Sequence, residues 1–217
     1  MKTITLFSRE FPPVLLGGIG NTARFLAEEL SNSSYKVNVV TPKFGEYSNL
    51  PSFEKRGNMN IYRLRLKRRL LFWSKTAPFS YFNKKILKNT DLIHILNARD
   101  APFIYKKSPV IANINDYYPL TVPLNPFKYP YREKGKLIKY LNYNLFKFLD
   151  YTSLKRADFI VYNNRFAKNL IEKKFKLKNK KSKVVYKGID VNEFKGGYKK
   201  RGRCYVCRLS PGDQGGN

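Results

Sequence analysis

The chain has 217 residues, with 43 lysines and arginines against 15 aspartates and glutamates, and a formal net charge of +28. A hydrophobic content of 42% and an aromatic content of 15% exclude wholesale disorder, because these residues can bury a core. No run approaches the roughly 18 apolar residues of a membrane span, and Arg9 and Glu10 interrupt the apolar start before a signal peptide could form. We expect a soluble cytoplasmic protein of one substantial domain or two small ones.

Strand and helix patterns alternate along the chain. A β-rich run at 3–8 leads into a proline and glycine loop at 11–20, and residues 22–30 then place apolar side chains at helical spacing. A second strand at 35–41 completes a unit of about 40 residues, the length of a βαβ unit. The further predicted strands are 61–66, 92–96, 110–114, 159–162 and 184–186, and the clearest further helices are 134–156 and 165–175. This alternation predicts an α/β fold with a mostly parallel, Rossmann-like sheet flanked by helices.

The composition changes near the carboxyl end. Six of the 13 glycines follow Lys195, where apolar periodicity nearly disappears. We therefore predict a domain at 1–194 and a glycine-rich tail at 195–217. The tail carries Cys204 and Cys207, whose spacing is shared by redox and zinc motifs but lacks the flanking elements or the further ligands that either would need. Buried strand thiols are the favoured interpretation, and no metal site is predicted.

The loop after the first strand is the best candidate for a phosphate site. Gly17, Gly18 and Gly20 lie where a strand leads into a helix, and the amino end of a helix presents free N–H groups to an anion. The loop is neither a dinucleotide fingerprint nor a Walker loop. The alternative is a tight connection in which glycine supplies a positive φ.

Two basic segments predict a partner of opposite charge. Residues 55–88 hold 11 lysines or arginines and no acid, and the helix at 134–156 interleaves lysines with aromatic residues. Cations beside exposed aromatic residues favour an anionic bilayer surface. The candidate contacts are Lys67, Arg68, Arg69 and Trp73. A solvated lysine-rich surface is the alternative, and without a recognition motif no specific binding of nucleic acid is expected.

Four segments together resemble the amino-terminal half of a family 4 glycosyltransferase of the GT-B architecture. They are Glu10-Phe-Pro-Pro with Gly17-Gly-Ile-Gly, Asp91-Leu-Ile-His, the strand ending in Asn115-Asp116, and Ala157-Asp158 with Gly188-Ile-Asp190. Two positions depart from the family pattern. Asn115 replaces a common histidine, which leaves any acid or base role there in doubt, and Lys187 replaces an asparagine.

The resemblance implies a retaining, metal-independent transfer of a hexose from a nucleotide sugar to a glycan or lipid-linked acceptor. The nucleotide sugar would be a co-substrate, and no other cofactor is implied. By the same resemblance the glycine loop closes over the diphosphate and sugar, Asn115 and Asp116 contact the acceptor or sugar, and Arg208 matches a contact to the donor phosphates.

The resemblance also implies that most of the nucleotide-sugar domain is missing from the chain, so that activity would need a carboxyl-terminal half, which could be separately encoded. Whether the chain alone is an enzyme is therefore left open. The alternative is a non-catalytic module that binds glycan or anionic lipid. His94, alone within a strand pattern, is expected to be satisfied by the fold.

Overall fold

The structure is a computed structural model that describes residues 1–67, 72–115 and 136–188. Residues Met1–Tyr186 form one compact unit. The predicted boundary at residue 194 and the tail with Cys204 and Cys207 lie outside the described residues.

Strands and helices alternate along much of the chain, as the sequence predicts. The strands are β1 (Thr3–Phe7), β2 (Lys36–Lys43), β3 (Phe53–Arg56), β4 (Met59–Arg65), β5 (Leu92–Ile95), β6 (Val110–Ile114), β7 (Phe159–Tyr162) and β8 (Ser182–Val184). The helices are α1 (Gly18–Asn32), α2 (Phe72–Phe82), α3 (Lys84–Lys88), α4 (Lys136–Arg156) and α5 (Arg165–Phe175), with short 3-10 turns at Gly45–Asn49 and Ala98–Asp100.

The eight strands form one sheet in the order β3-β4-β2-β1-β5-β6-β7-β8, and every pair is parallel except β3 with β4. The predicted α/β class and mostly parallel sheet are confirmed. Strand β3 was not predicted, because it is a short edge strand with little burial and therefore lacks a clear apolar pattern. The last predicted strand, 184–186, is observed two residues earlier at Ser182–Val184.

Apolar side chains cover both faces of the sheet. One cluster includes Phe7, Ile95 and Ile160, and the other packs Leu6 and Val39 against the inner face of α1. Each such fully buried side chain contributes about 1.5–3 kcal/mol to folding. Burial on both faces explains why the central strands read as continuous apolar runs. Within the described ranges, no helix is both long and apolar enough to cross a membrane.

Candidate functional site

The carboxyl ends of the parallel strands bring the predicted glycine loop to one edge of the sheet. The loop joins β1 to α1, and the helix begins at Gly18, four residues before the predicted start. Gly17 is the N-cap with φ −172°, an extended conformation, and as a glycine it supplies no side-chain cap. The positive-φ glycines in the described part of the chain are Gly45 and Gly57, so the three loop glycines are not explained by a positive φ.

A buried carboxylate explains the glycine at position 20. Glu10 is only 1% exposed, and its Oε2 accepts a hydrogen bond of 3.2 Å from the backbone N–H of Leu16. A Cβ added to Gly20 would lie 3.1 Å from the Glu10 Cβ and 2.7 Å from the Leu15 Cδ2. The start of α1 therefore rests directly on Glu10, whereas Gly18 is exposed. This packing leaves the first residue of α1 open to a ligand at the sheet edge.

An ion pair fixes the segments that leave β1 and β5. The Arg9 Nε donates to Asp100 Oδ1 at 2.8 Å, and the Arg9 Nη2 lies 2.6 Å from the same oxygen. Both side chains are buried. Thr76 of α2 donates its hydroxyl to the backbone oxygen of Asp100 at 2.9 Å. These contacts hold the turn after β5 against both the glycine loop and α2.

A second buried ion pair joins the same turn to α4. Arg99 Nε and Nη2 donate to the two carboxylate oxygens of Asp150 at 3.1 and 3.0 Å. The guanidinium also stacks on Phe146, 5.2 Å from the ring centroid. A two-bond contact of this type fixes orientation as well as distance. The turn at Ala98–Asp100 is thus held from both sides by side chains.

Asn97 has the most unusual environment at this edge. The residue lies two positions after the end of β5 and is 1% exposed, yet neither its Nδ2 nor its Oδ1 has a hydrogen-bond partner among the described residues. Leaving a buried amide unpaired costs about 1–3 kcal/mol. Such a group needs an explanation, and a ligand that supplies the missing hydrogen bonds is one.

Asn115 lies at the carboxyl end of β6 and ties three strands together. Its Nδ2 donates to the backbone oxygen of Leu96, and its Oδ1 accepts from Asn163 Nδ2 at 3.0 Å. An amide group has two N–H donors and two lone pairs, so one of each is left after these bonds. Asn115 can therefore both fix the edge and offer hydrogen bonds to a sugar hydroxyl.

The other predicted residues fall in different places. Lys67 is exposed just after β4, whereas Trp73 is only half exposed in the first turn of α2. The predicted residues Arg68, Arg69, Asp116 and Arg208 lie outside the described residues. Of the predicted membrane patch, Lys67 and Trp73 are the two members that lie within the described residues.

The groups beneath this edge are held neutral by burial. Burial lowers the pKa of His94, against a hydrogen bond of its Nε2 to Asn113 Oδ1 at 2.9 Å. Burial also raises the pKa of Tyr162 above its ordinary range. The expectation that His94 is satisfied within the fold agrees with this contact. Within the described ranges, no group of three or more His, Cys, Asp or Glu residues could hold a metal ion.

The sequence interpretation missed several residues of this edge. It assigned no role to Asn97, Arg99, Asp100 or Asp150, and it gave Glu10 no contact within the fold. A usable signal existed for the first three, since they lie within five residues of the end of the buried strand β5 and the carboxyl ends of parallel strands are where ligands bind. No local signal pointed to Asp150, because its partner Arg99 is 51 residues away.

Comparison with known proteins agrees with this architecture. The family model for glycosyltransferase family 4 matches residues 16–193. A structure of sucrose-phosphate synthase from Thermosynechococcus elongatus is similar with a TM-score of 0.53 and 15% identity, over 89% of this chain and 93% of that chain. The catalytic domain of starch synthase IV from Arabidopsis thaliana, bound to ADP and acarbose, also has a TM-score of 0.53, with 10% identity over 89% of this chain and 53% of that chain.

These structural similarities, at low identity, show the shared fold alone. No curated protein sequence matches the chain. The chain spans about half the length of the starch synthase domain. Since the family model covers most of its residues, the chain belongs to glycosyltransferase family 4 and has the fold of a GT-B amino-terminal domain.

Proposed function

We propose that this domain is the acceptor-side half of an enzyme that transfers a hexose from a nucleotide sugar to a glycan or lipid-linked acceptor. Family membership supports the reaction class. The coverage of about half of the starch synthase domain supports the need for a carboxyl-terminal half that binds the nucleotide. The sheet edge with Glu10, Asn97 and Asn115 would form one wall of the cleft between the halves.

The unpaired amide of Asn97 is the single observation that carries this proposal. A sugar presents hydroxyl groups that both donate and accept, and within the described part of the chain the Asn97 side chain has neither an acceptor for its N–H groups nor a donor to its oxygen. The start of α1 lies at the same edge without a side-chain cap, where first-turn N–H groups and the helix dipole favour an anion. Sugar and diphosphate groups are thus both matched by the chemistry of this edge.

The proposed reaction replaces one bond at the anomeric carbon with another. The bond from the anomeric carbon to the diphosphate oxygen breaks, the acceptor hydroxyl oxygen bonds to that carbon, and the hydroxyl proton passes to the released diphosphate. The exposed backbone at Gly18 would stabilise negative charge on the leaving group. The amides of Asn97 and Asn115 would orient sugar hydroxyls, and Asp116 and Arg208 are proposed as further contacts to the sugar and the donor phosphate.

The test is reconstitution. The 217-residue chain is combined, in trans or by fusion, with a carboxyl-terminal domain of a family 4 enzyme, and release of nucleoside diphosphate from a panel of nucleotide sugars is measured with and without acceptors. Turnover that needs both halves and that falls in Asn97→Ala would support the proposal. Turnover that is equal in Asn97→Ala and the parent would remove Asn97 from the site. No turnover with any pair would favour the non-catalytic binding module.

We also propose that the domain docks on an anionic membrane, because α4 carries an exposed apolar stripe. Leu141, Leu145 and Phe148 are 57%, 36% and 55% exposed and recur at helical spacing, so they share one face. A groove beside Phe148 is lined by Lys147 and Lys176 among other residues. An apolar stripe with cations beside it matches the interface of an anionic bilayer. In contrast, Trp73 of the predicted patch is only half exposed.

Sedimentation with vesicles tests this second proposal. Phe148→Ser should weaken binding to vesicles that contain anionic lipid by roughly tenfold, because a large apolar group is lost from the contact. Phe82→Ser is the matched control, since Phe82 is 88% exposed but lies on α2. Equal loss in both variants would mean diffuse attraction of a +28 chain to the membrane, and the docking face would be abandoned.

A further inference from the structure

A separate cavity opens at the same edge of the sheet, beyond β2 and β4. It has a volume of about 670 Å³. Its lining residues are Gly45, Ser48, Arg65, Leu66, Lys67, Ser74 and Lys75. We call it the basic cavity. Its size is in the range of pockets that hold small molecules.

The chemistry of the lining favours an anion. Three of the seven residues, Arg65, Lys67 and Lys75, are cations with exposed side chains, and none is acidic. Ser48 adds a hydroxyl group that can donate a hydrogen bond. The acidic residue nearest in sequence, Glu46, hydrogen-bonds Tyr47 and raises its pKa. Three cations and the Ser48 hydroxyl around one cavity match the charge and the acceptor oxygens of a phosphate group.

The helix α2 adds to this positive potential. Ser74 and Lys75 belong to its first turn, where backbone N–H groups have no acceptor within the helix and the dipole is positive. The first turn of this 11-residue helix contains no acidic residue. The helix end and the side-chain charges therefore act on the cavity with the same sign.

The basic cavity is joined to the proposed cleft by direct contacts. Thr76, next to Lys75, donates to the backbone of Asp100, which pairs with Arg9 beside the glycine loop. Arg63 of β4 donates from Nη2 to the backbone oxygen of Pro12 in that loop at 3.3 Å. In the sheet, β2 lies beside β1 and β4 beside β2, so the cavity is displaced from β1 by roughly 5–10 Å along the edge.

We propose that the basic cavity binds a phosphate group of the acceptor, so that the acceptor of this domain is a phosphorylated molecule. This inference rests on the proposed transferase function and adds the chemical class of the acceptor. The phosphate would anchor the acceptor against Lys67 and Lys75 while a hydroxyl of the same molecule extends along the edge to the glycine loop. The phosphate can belong to a soluble sugar phosphate or to a lipid phosphate.

The binding test uses the 217-residue chain and calorimetry at fixed ionic strength. The probes are inorganic phosphate, a hexose 6-phosphate, the same hexose without phosphate, and phosphatidylcholine vesicles with or without phosphatidic acid. The double variant Lys67→Gln/Lys75→Gln is compared with Lys173→Gln/Lys178→Gln, which removes two exposed lysines elsewhere and leaves the same net charge. The first variant should bind phosphate about tenfold more weakly or worse, because charge-assisted hydrogen bonds are lost.

Each outcome decides the proposal. Selective loss of hexose 6-phosphate binding in the cavity variant supports a soluble acceptor, and selective loss of binding to the phosphatidic acid vesicles supports a lipid acceptor. Equal loss in the two double variants, or no phosphate binding by the parent chain, overturns the proposal. So does binding of the unphosphorylated hexose as tightly as of its phosphate.

Reconstitution with a carboxyl-terminal domain distinguishes failure of the acceptor proposal from failure of the proposed transferase function. In an active pair, the cavity variant should raise the KM for a phosphorylated acceptor and leave the KM for the nucleotide sugar unchanged. Turnover that is insensitive to Lys67→Gln/Lys75→Gln would overturn the proposal of a phosphorylated acceptor and would leave the proposed transferase function unaffected. Absence of turnover with intact, cavity-dependent phosphate binding would overturn the transferase and the acceptor role, and would leave a phosphate-binding site.

Discussion

Gly20 packs against Glu10 so closely that a Cβ on Gly20 would lie 3.1 Å from the Glu10 Cβ and 3.3 Å from its Oε2. The same oxygen accepts the hydrogen bond from Leu16, so the carboxylate contacts both the loop and the helix that follows it. The glycine at this position is therefore required by close approach to a buried acid, and the loop conformation depends on the pair.

Gly20→Val should lower the free energy of unfolding by about 1–3 kcal/mol, because the added atoms overpack the contact with Glu10. The better helix propensity of valine offsets only a few tenths of this. Urea denaturation followed by circular dichroism measures the change. Gly17→Ser is the matched control, since a Cβ there would lie 3.7 Å from Glu10 Oε2 and serine is a favoured N-cap. Equal destabilisation by both variants would contradict the close-approach explanation.

Asn97→Ala should leave stability unchanged or raise it slightly, because the substitution removes a buried amide that has no hydrogen-bond partner among the described residues. Transfer by the reconstituted enzyme should nevertheless fall. The two measurements are thermal unfolding of the chain alone and turnover of the pair. A residue with a purely structural role would show the opposite pattern, with lower stability and, once the variant is folded, full turnover.

Asp150→Asn should destabilise the domain by about 3–5 kcal/mol, because it leaves the buried guanidinium of Arg99 without its carboxylate. Asp158→Asn is the control. Asp158 is 49% exposed and pairs with Lys106, and an exposed pair of this kind contributes about 1 kcal/mol or less. Chemical denaturation of both variants gives the comparison, and similar losses would show that burial does not distinguish the two pairs.

Stability should fall as the pH is lowered below about 6.5, through the titration of His94. Burial lowers its pKa in the folded domain, so the unfolded chain, with a pKa of about 6.5, binds the proton first. The slope can reach about 1.4 kcal/mol per pH unit while only the unfolded state is protonated. His94→Gln, which removes the chain's one histidine, should flatten the profile in this window. An unchanged profile in urea titrations would assign the pH dependence to other groups.

The alternation of strands and helices could be predicted because it depends on local patterns. The runs at 110–114, 159–162 and 165–175 coincide with β6, β7 and α5. The family could be identified because motif order and spacing are properties of the chain itself. Strand β3 escaped prediction because its position is decided by pairing with β4, and its own residues are mostly exposed.

The amino-acid sequence by itself thus determined the fold class, the family and the place of the glycine loop between β1 and α1. Tertiary structure alone decided the arrangement of the site, because its contacts join residues far apart in the chain. Arg9 meets Asp100 across 91 residues and Arg99 meets Asp150 across 51, and neither partner can be inferred from local periodicity. Asn97 is buried with no hydrogen-bond partner for its amide in the regions that the structure describes, and this too is a property of the assembled sheet edge, since burial depends on neighbours that only folding brings together.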